Sequence, residues 1–261
     1  MTLDQSFQIS TGSIWSIPVY DGSNLVISTE VIGTTGGVYL SKYDASLNLV
    51  GIATHIISPS LLNSNPTLTY TYANNITAIA DHKHIFQDGY HYITCSTSGT
   101  GTGGNLYLMK IDTDFVLQDI VEVTTDNAPT NDMFLVGDGS KIYVGKFHPG
   151  QGHDIYSYDA GLVSLGAATP IGNTGSGAKA TMVVTENMLI YSGRTGDGTP
   201  HLFAVDKLTG EELARVEAPG ISRYGMMTYV LDGHQYVMLQ TGPTLTTMAL
   251  PGTYAPGGGD H

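Results

Sequence analysis

Met227–Gln240 reads MTYVLDGHQYVMLQ, two runs of β-favouring residues joined by Asp-Gly. Asp-Gly favours a two-residue hairpin turn, because both residues can adopt the positive φ that this turn requires. The pattern recurs four more times, with Glu-Asn replacing Asp-Gly in the last copy: SIPVYDGSNLVIST from Ser16, KHIFQDGYHYITCS from Lys83, MFLVGDGSKIYVGK from Met133 and ATMVVTENMLIYSG from Ala180. Five hairpins spread along the chain indicate a repeated antiparallel unit.

Four of the hairpins are followed by a third and a fourth strand joined through an Asp-containing turn. These strand pairs read VYLSKYDASLNLVGIA, LYLMKIDTDFVLQDIVEV, IYSYDAGLVSLGAA and LFAVDKLTGEELARVEA. A repeated four-stranded meander is typical of β-propeller blades. The fifth hairpin is followed only by TLTTMALP, so we expect the N-terminal LDQSFQIS to supply its missing outer strand and close the ring.

The sequence therefore predicts an all-β, five-bladed β-propeller, closed by pairing of the N-terminal strand with the C-terminal blade. Six blades are the alternative if residues 56–75 contain further strands. We expect residues 1–252 to form a single propeller domain. Residues 253–261 include three consecutive glycines that offer nothing to bury, and we expect them to form a flexible tail.

Charge and composition limit the classes of partner and the cellular compartments that fit this protein. The formal net charge of -13 disfavours binding to phosphate backbones and anionic lipid, so we expect neither nucleic acid nor membrane as a partner. No apolar run approaches the roughly 20 residues of a membrane-spanning helix. We expect a soluble protein, either cytoplasmic or secreted with its signal peptide removed. The single cysteine, Cys95, excludes an intrachain disulfide, and its alternating strand indicates a buried apolar role.

The C-terminal third resembles the closing blades of the pyrroloquinoline-quinone-dependent dehydrogenases and related quinoprotein propellers. The run MLIYSGRTGDGTPHLFAVDKLTGEELARVEAPG, followed by YGMMTYVLDGHQYVMLQTG, carries this resemblance. Its strongest elements are turn and packing motifs, among them the turn through Asp206, Thr209 and Gly210. In those enzymes other blades of a longer, eight-bladed chain hold the cofactor. The resemblance therefore implies the fold, and we expect no pyrroloquinoline quinone.

The middle of the chain resembles the first strands of five-bladed glycosidase blades, through ADHKHIFQDGYHYIT and NDMFLVGDGSKIYVG. Those families place an acidic residue several positions before the Asp-Gly turn, and Asp81 and Asp132 lie near that position. Glycoside hydrolysis also needs a general acid, usually a Glu in these families. No Glu of this sequence lies at the expected place, Glu30 being at the end of a second strand. The resemblance implies a glycoside hydrolase as one alternative function.

One face of the predicted propeller carries the chemically useful residues. The starts of the innermost strands share this face with the second-to-third loops, which are long and irregular, and FHPGQGHDIY (Phe147–Tyr156) is one of them. Five of the ten basic residues map to this rim, where they would attract a small anionic group: Lys83, Lys146, Lys179, Arg194 and Arg223. His82 and His84 alternate along a strand and so share one side, which makes a metal ion possible, although exposed or hydrogen-bonded histidines are the default expectation.

The favoured function is a small-molecule hydrolase for an ester, a phosphoester or a similar bond. Its proposed catalytic residues lie at the channel mouth: His82, His84, Asp132, Lys179 and Arg223. Either histidine would act as the base, Asp132 would orient it, and Lys179 or Arg223 would stabilise an oxyanion. The candidate substrate-binding residues are Trp15, Asp81, Asn131, His148, His153, Arg194 and Tyr224. The alternatives are the glycoside hydrolase, a non-catalytic propeller that binds a sugar or another small ligand, and a scaffold for protein contacts.

Overall fold

The computed structural model describes residues 17–31, 37–51, 54–57, 76–99, 106–124, 133–148, 152–171, 182–222, 225–241 and 243–250. Every regular element in these ranges is a β-strand. The strands form five separate antiparallel sheets, each a meander in which consecutive strands are neighbours. The protein is thus an all-β, five-bladed β-propeller, as the hairpin repeats predict.

The Cα positions divide the chain into two compact units, Met1–Asn127 and Ala128–His261. The first sheet of the first unit contains β1 (Val19–Tyr20), β2 (Leu25–Val31), β3 (Gly37–Tyr43) and β4 (Thr54–Ile57). The second sheet contains β5 (Ile76–Gln87), β6 (Tyr90–Gly99), β7 (Leu106–Ile111) and β8 (Leu117–Thr124). Strand β5 packs against β1, β2 and β3, so the two sheets are adjacent.

The second unit contains the remaining three sheets. The third sheet contains β9 (Met133–Gly137), β10 (Lys141–His148), β11 (Gly152–Asp159) and β12 (Ser164–Ile171). The fourth contains β13 (Met182–Val184), β14 (Met188–Arg194), β15 (Pro200–Asp206) and β16 (Glu212–Glu217). The fifth contains β17 (Met226–Leu231), β18 (His234–Thr241) and β19 (Thr244–Ala249). Within the described residues this last sheet has three strands, as the short fifth repeat predicts. The N-terminal LDQSFQIS and the tail lie outside the described residues.

Two of the four Asp-Gly turns have the predicted conformation, whereas at Asp21-Gly22 and Asp138-Gly139 only the glycine has positive φ. Asp88 and Gly89 have φ angles of 51° and 79°, and Asp232 and Gly233 have 50° and 74°. Two consecutive residues with positive φ form the turn whose twist matches that of the flanking strands. The Asp-Gly dipeptides therefore determine where these hairpins reverse.

The segment Phe147–Tyr156 differs from the long loop expected for it. Strand β10 continues to His148 and β11 begins at Gly152, with Phe147 opposite His153 in the ladder. Most of the segment therefore belongs to a hairpin, because the alternation of β10 and β11 extends through it.

Three apolar clusters form the described cores, one in the first unit and two in the second. In the first unit, residues of β2 and β3 pack against residues of β6 and β7, among them Val26, Leu40, Ile93 and Tyr107. In the second, Tyr191 stacks on Phe203 with ring centroids 5.1 Å apart and on Phe134 with centroids 6.3 Å apart. These aromatic contacts join the third and fourth sheets.

Candidate functional site

Strand β5 contains an irregularity at Asp81. Ala80 lies opposite Ser96 and His82 lies opposite Cys95, so two steps along β5 match one step along β6. Asp81 is therefore the extra residue of a β-bulge. Bulges redirect a side chain and bend the strand, and they are common beside active sites. We take this bulge as the centre of the candidate site, because β5 is the innermost strand of its blade.

His82, the next residue, is held by two side chains of the adjacent sheet. Its Nε2 is 3.0 Å from the hydroxyl oxygen of Ser28, and its Nδ1 is 3.5 Å from Oε2 of Glu30. Ser28 and Glu30 both belong to β2 and, being two residues apart, lie on the same face of that strand. All three residues are buried. We call Ser28, His82 and Glu30 the Ser-His-Glu network.

Glu30 is the residue that sequence reasoning missed. It is 1% exposed, and its second carboxylate oxygen, Oε1, has no hydrogen-bond partner among the residues that the structure describes. A buried carboxylate with an unsatisfied oxygen is unfavourable for stability. The sequence offered one signal, a Glu inside the otherwise uncharged strand LVISTEV, but it could not show which partner faces that position.

His84 and His91 form a second buried contact. His84 Nε2 is 3.0 Å from His91 Nδ1 across β5 and β6, and the His91 ring packs against Phe86 and Phe115. Burial lowers the pKa of His84 well below its ordinary value, and His91 and His82 lower it further. Burial also lowers the pKa of His91 to about 4, against the opposing effect of the Asp21 carboxylate. Both imidazoles are therefore neutral near pH 7.

The burial of these histidines corrects one expectation. His82 and His84 were expected among exposed groups at the channel mouth, but they are 0% and 1% exposed. Strand alternation does bring both to one side, because β5 packs that side against the first sheet. Among the residues that the structure describes, no group of three or more His, Cys, Asp or Glu side chains could hold a metal ion.

Arg194, at the end of β14, is held by its own loop. Its Nη1 donates a 2.5 Å hydrogen bond to the carbonyl oxygen of Gly198. In the same loop the Thr195 hydroxyl and the Thr199 backbone donate to Asp197, and these bonds lower the pKa of Asp197 to about 2. Arg194 is half-buried, and this bond orients its guanidinium within the loop.

The other candidates have no described side chain. Asp81, His148 and His153 lie on β5, β10 and β11 by their backbones. The remaining six fall outside the described residues: Trp15, Asn131, Asp132, Lys179, Arg223 and Tyr224. Their roles stay predictions. Cys95 is fully buried, and burial raises the pKa of its thiol far above the ordinary value, which disfavours a thiolate nucleophile.

Comparison with known proteins supports the fold. A family model, the β-propeller domain of glucose, ethanol and alcohol dehydrogenases, matches residues 156–237, in the region where the sequence resembles quinoprotein propellers. No curated protein matches the chain in sequence. The described residues contain no helix long and apolar enough to cross a membrane.

Several solved structures share the architecture. A subtype N10 neuraminidase-like protein from a little yellow-shouldered bat isolate is 8% identical, with a TM-score of 0.56 over 92% of this chain and 79% of that one. The Dos1 propeller is 13% identical, with a TM-score of 0.53 over 89% of this chain and 58% of that one. The GH43 endo-arabinanase of Bacillus licheniformis is 14% identical, with a TM-score of 0.48 over 93% and 96%. At these identities the first two structures show the β-propeller fold alone, and the third, with a TM-score below 0.5, supports no argument.

The dehydrogenase match includes residues that build the sheets. Tyr191 and Phe203 are buried and stacked on each other, and Asp206 accepts hydrogen bonds from the backbone of its own turn. Arg194 bonds its own loop. These side chains pack and cap the blade, so we assign no quinone chemistry to them.

Proposed function

We propose that this propeller is a glycoside hydrolase of the five-bladed type and that Asp81 supplies one of its catalytic carboxylates. The β-bulge at Asp81 carries the proposal. The bulge interrupts the innermost strand of the second blade seven residues before the Asp88-Gly89 turn, in the part of the strand where the sequence resembles glycosidase blades. The β5–β6 ladder has two register shifts, one between Ile76 and Ala78 and one at Asp81, and a shift at an acidic residue fits a position selected for chemistry.

The chemistry needs two groups. One carboxylate takes a proton from a water molecule that attacks the anomeric carbon, or attacks that carbon itself, and an acid protonates the departing glycosidic oxygen. Asp81 is our candidate for the first role. Asp132, which directly precedes β9 in the sequence, is the sequence-based candidate for the second.

The burial of the histidines favours the glycoside reading over an ester or phosphoester hydrolase. In the latter, His82 or His84 must reach the substrate as a base. His82 instead contacts Ser28 and Glu30 on its two ring nitrogens, and His84 contacts His91. The proposal therefore assigns the reaction to a carboxylate and gives the histidines no direct contact with the substrate.

The test is a panel of chromogenic aryl glycosides of pentoses, hexoses and sialic acid, with aryl esters and phosphoesters beside them. We expect turnover of at least one glycoside and a loss of about 1000-fold or more in kcat for Asp81→Asn, since that change removes a reacting carboxylate. Asp88→Asn is the matched control at the turn of the same hairpin, where Asn tolerates the φ of 51°. The control should keep full activity.

Three results would contradict this assignment. Equal loss of activity in both Asp variants would point to damage to the hairpin. Saccharide binding by calorimetry without turnover would instead support the non-catalytic binding propeller. Turnover of esters or phosphoesters alone would restore the hydrolase that the sequence analysis favoured.

A further inference from the structure

We infer that the Ser-His-Glu network is a positioning device that holds the β5 bulge, and with it Asp81, against the first sheet; this inference rests on the proposed function. His82 follows Asp81 directly, and its side chain contacts only β2 residues among the partners described for it: Ser28 at 3.0 Å and Glu30 at 3.5 Å. The network thus ties the first regular residue after the bulge to a strand of the neighbouring blade.

The geometry explains why two contacts are needed. A bulge leaves one residue without a ladder partner, so the chain beside it can shift in register. Contacts on both ring nitrogens fix the position and the rotation of the His82 side chain. Because His82 and Asp81 are joined by one peptide unit, restraining His82 restrains the backbone that carries the Asp81 carboxylate.

The energetics argue against a purely stabilising role. Glu30 is 1% exposed, and within the described part of the chain its Oε1 has no hydrogen-bond partner. Apolar residues of similar volume often replace a buried ionic contact at no loss of stability, so a sequence selected for stability alone has little reason to keep one. A carboxylate that orients an imidazole beside a reacting group is a recognised use of such a contact.

The same three groups, in the same order, would also suit a serine nucleophile with its base and orienting carboxylate. Ser28 is 1% exposed and lies in the middle of β2. A substrate carbonyl could not approach its hydroxyl without separating the two sheets. We therefore assign positioning, and we make serine reactivity an outcome of the test.

The test compares Glu30→Gln with Glu186→Gln, an exposed glutamate in the turn before β14. Hydrogen exchange is measured for the peptide that spans Ala80–His82, together with the free energy of unfolding and the kinetics on any glycoside that the panel identifies. For Glu30→Gln we expect hydrogen exchange of this peptide to increase at least ten-fold. We also expect kcat to fall about 10- to 100-fold with KM unchanged, which is typical when a residue that positions a reacting group is lost. The unfolding free energy should change little, because Gln keeps the size of Glu30 and an oxygen that can accept a hydrogen bond from His82. Glu186→Gln should change none of these.

A lower unfolding free energy with a uniform rise in exchange over all strands would show a structural role only and overturn the inference. Unchanged exchange at the bulge would also overturn it, and so would labelling of Ser28 by a fluorophosphonate. If the panel gives no turnover, the proposed function fails, and the exchange and stability measurements still decide whether the network holds the bulge. Ser28→Ala combined with Glu30→Gln should increase bulge exchange no more than Glu30→Gln alone, because groups that act as a unit are not additive.

Discussion

Gly145 shows how closely the side chains of neighbouring strands pack in the second unit. It lies on β10 directly opposite Phe134 of β9, and the Phe134 ring covers it. A Cβ at Gly145 would lie 1.6 Å from Cζ of that ring. The ring cannot simply move away, because its other contacts include the buried Tyr191. A glycine is needed at this position because the Phe134 ring occupies the space where a side chain would lie.

We expect Gly145→Ala to lower the free energy of unfolding by about 1–3 kcal/mol, the usual effect of overpacking a core. Denaturant unfolding measures this. Gly51→Ala is the control, because its nearest neighbour would be Lys42 Cβ at 3.9 Å, an ordinary contact, and its φ lies outside the left-handed region. Adding Phe134→Leu to Gly145→Ala should recover part of the loss; no difference between the two alanine variants would contradict the packing argument.

At the scale of elements, the third-to-fourth turns of the first three blades share one construction. In each, the side chain of an aspartate accepts hydrogen bonds from the backbone N–H groups two and four residues later: Asp44, Asp112 and Asp159. The third residue after each aspartate has positive φ: Leu47, Phe115 and Leu162. The fourth blade uses Gly210 for the left-handed position. The aspartate compensates for a conformation that apolar residues rarely adopt.

Asp159→Ala removes the acceptor of two hydrogen bonds in such a turn and should destabilise the protein by about 1–3 kcal/mol. Asp159→Asn, which keeps one oxygen in the same place, should lose less. Thermal unfolding of both variants is the measurement, with Asp114→Ala as control, since Asp114 is exposed and takes part in its turn through its backbone N–H. A loss for Asp114→Ala equal to that for Asp159→Ala would show that turn composition, and not the hydrogen bonds, is responsible.

Neighbouring blades are also linked through these turns. Lys207, in the turn of the fourth blade, donates a 2.9 Å hydrogen bond to Asp138 in the hairpin turn of the third. Burial would raise the pKa of Asp138, but this bond and those from Ser140 and Lys141 hold it well below the ordinary value. In the first unit, Lys42 donates to the carbonyl oxygen of Thr113 in the next blade. Each pairing joins an outer turn to an adjacent blade.

For the whole molecule, the buried histidines predict how stability depends on pH. The pKa of His91 is lowered to about 4 from 6.5, so the unfolded chain binds a proton that the folded chain excludes. Stability should therefore be fully present above about pH 6.5 and decline as the pH falls toward 4. His84, whose pKa is also lowered by burial, acts in the same direction.

Urea unfolding at pH 7, 5.5 and 4.5 tests this dependence. His91→Gln should flatten the decline, while the exposed His234→Gln should leave it as in the parent protein. Hydrogen exchange should assign the loss to β5 and β6 of the first unit. A decline confined to pH values below 4 would instead implicate carboxylates such as Asp138, and our assignment to histidine would be wrong.

The sequence by itself determined the blades. Their signals are local, because Asp-Gly favours a chain reversal at its own position and alternating residues choose the faces of their own strand. The same local logic placed His82 and His84 on one side of β5. It also placed Asp81 near the start of an innermost strand, but alternation alone could not reveal the bulge there.

Only the tertiary structure decided what packs against the side of β5 that carries His82 and His84. Glu30 and His82 are 52 residues apart in the sequence, and no pattern within either strand shows that β2 packs against β5. Local patterns therefore predict exposed histidines where the fold buries them, and they give no role to Glu30, which contacts His82. Burial and pairing depend on contacts between strands distant in sequence, and those contacts are made only when the blades pack side by side.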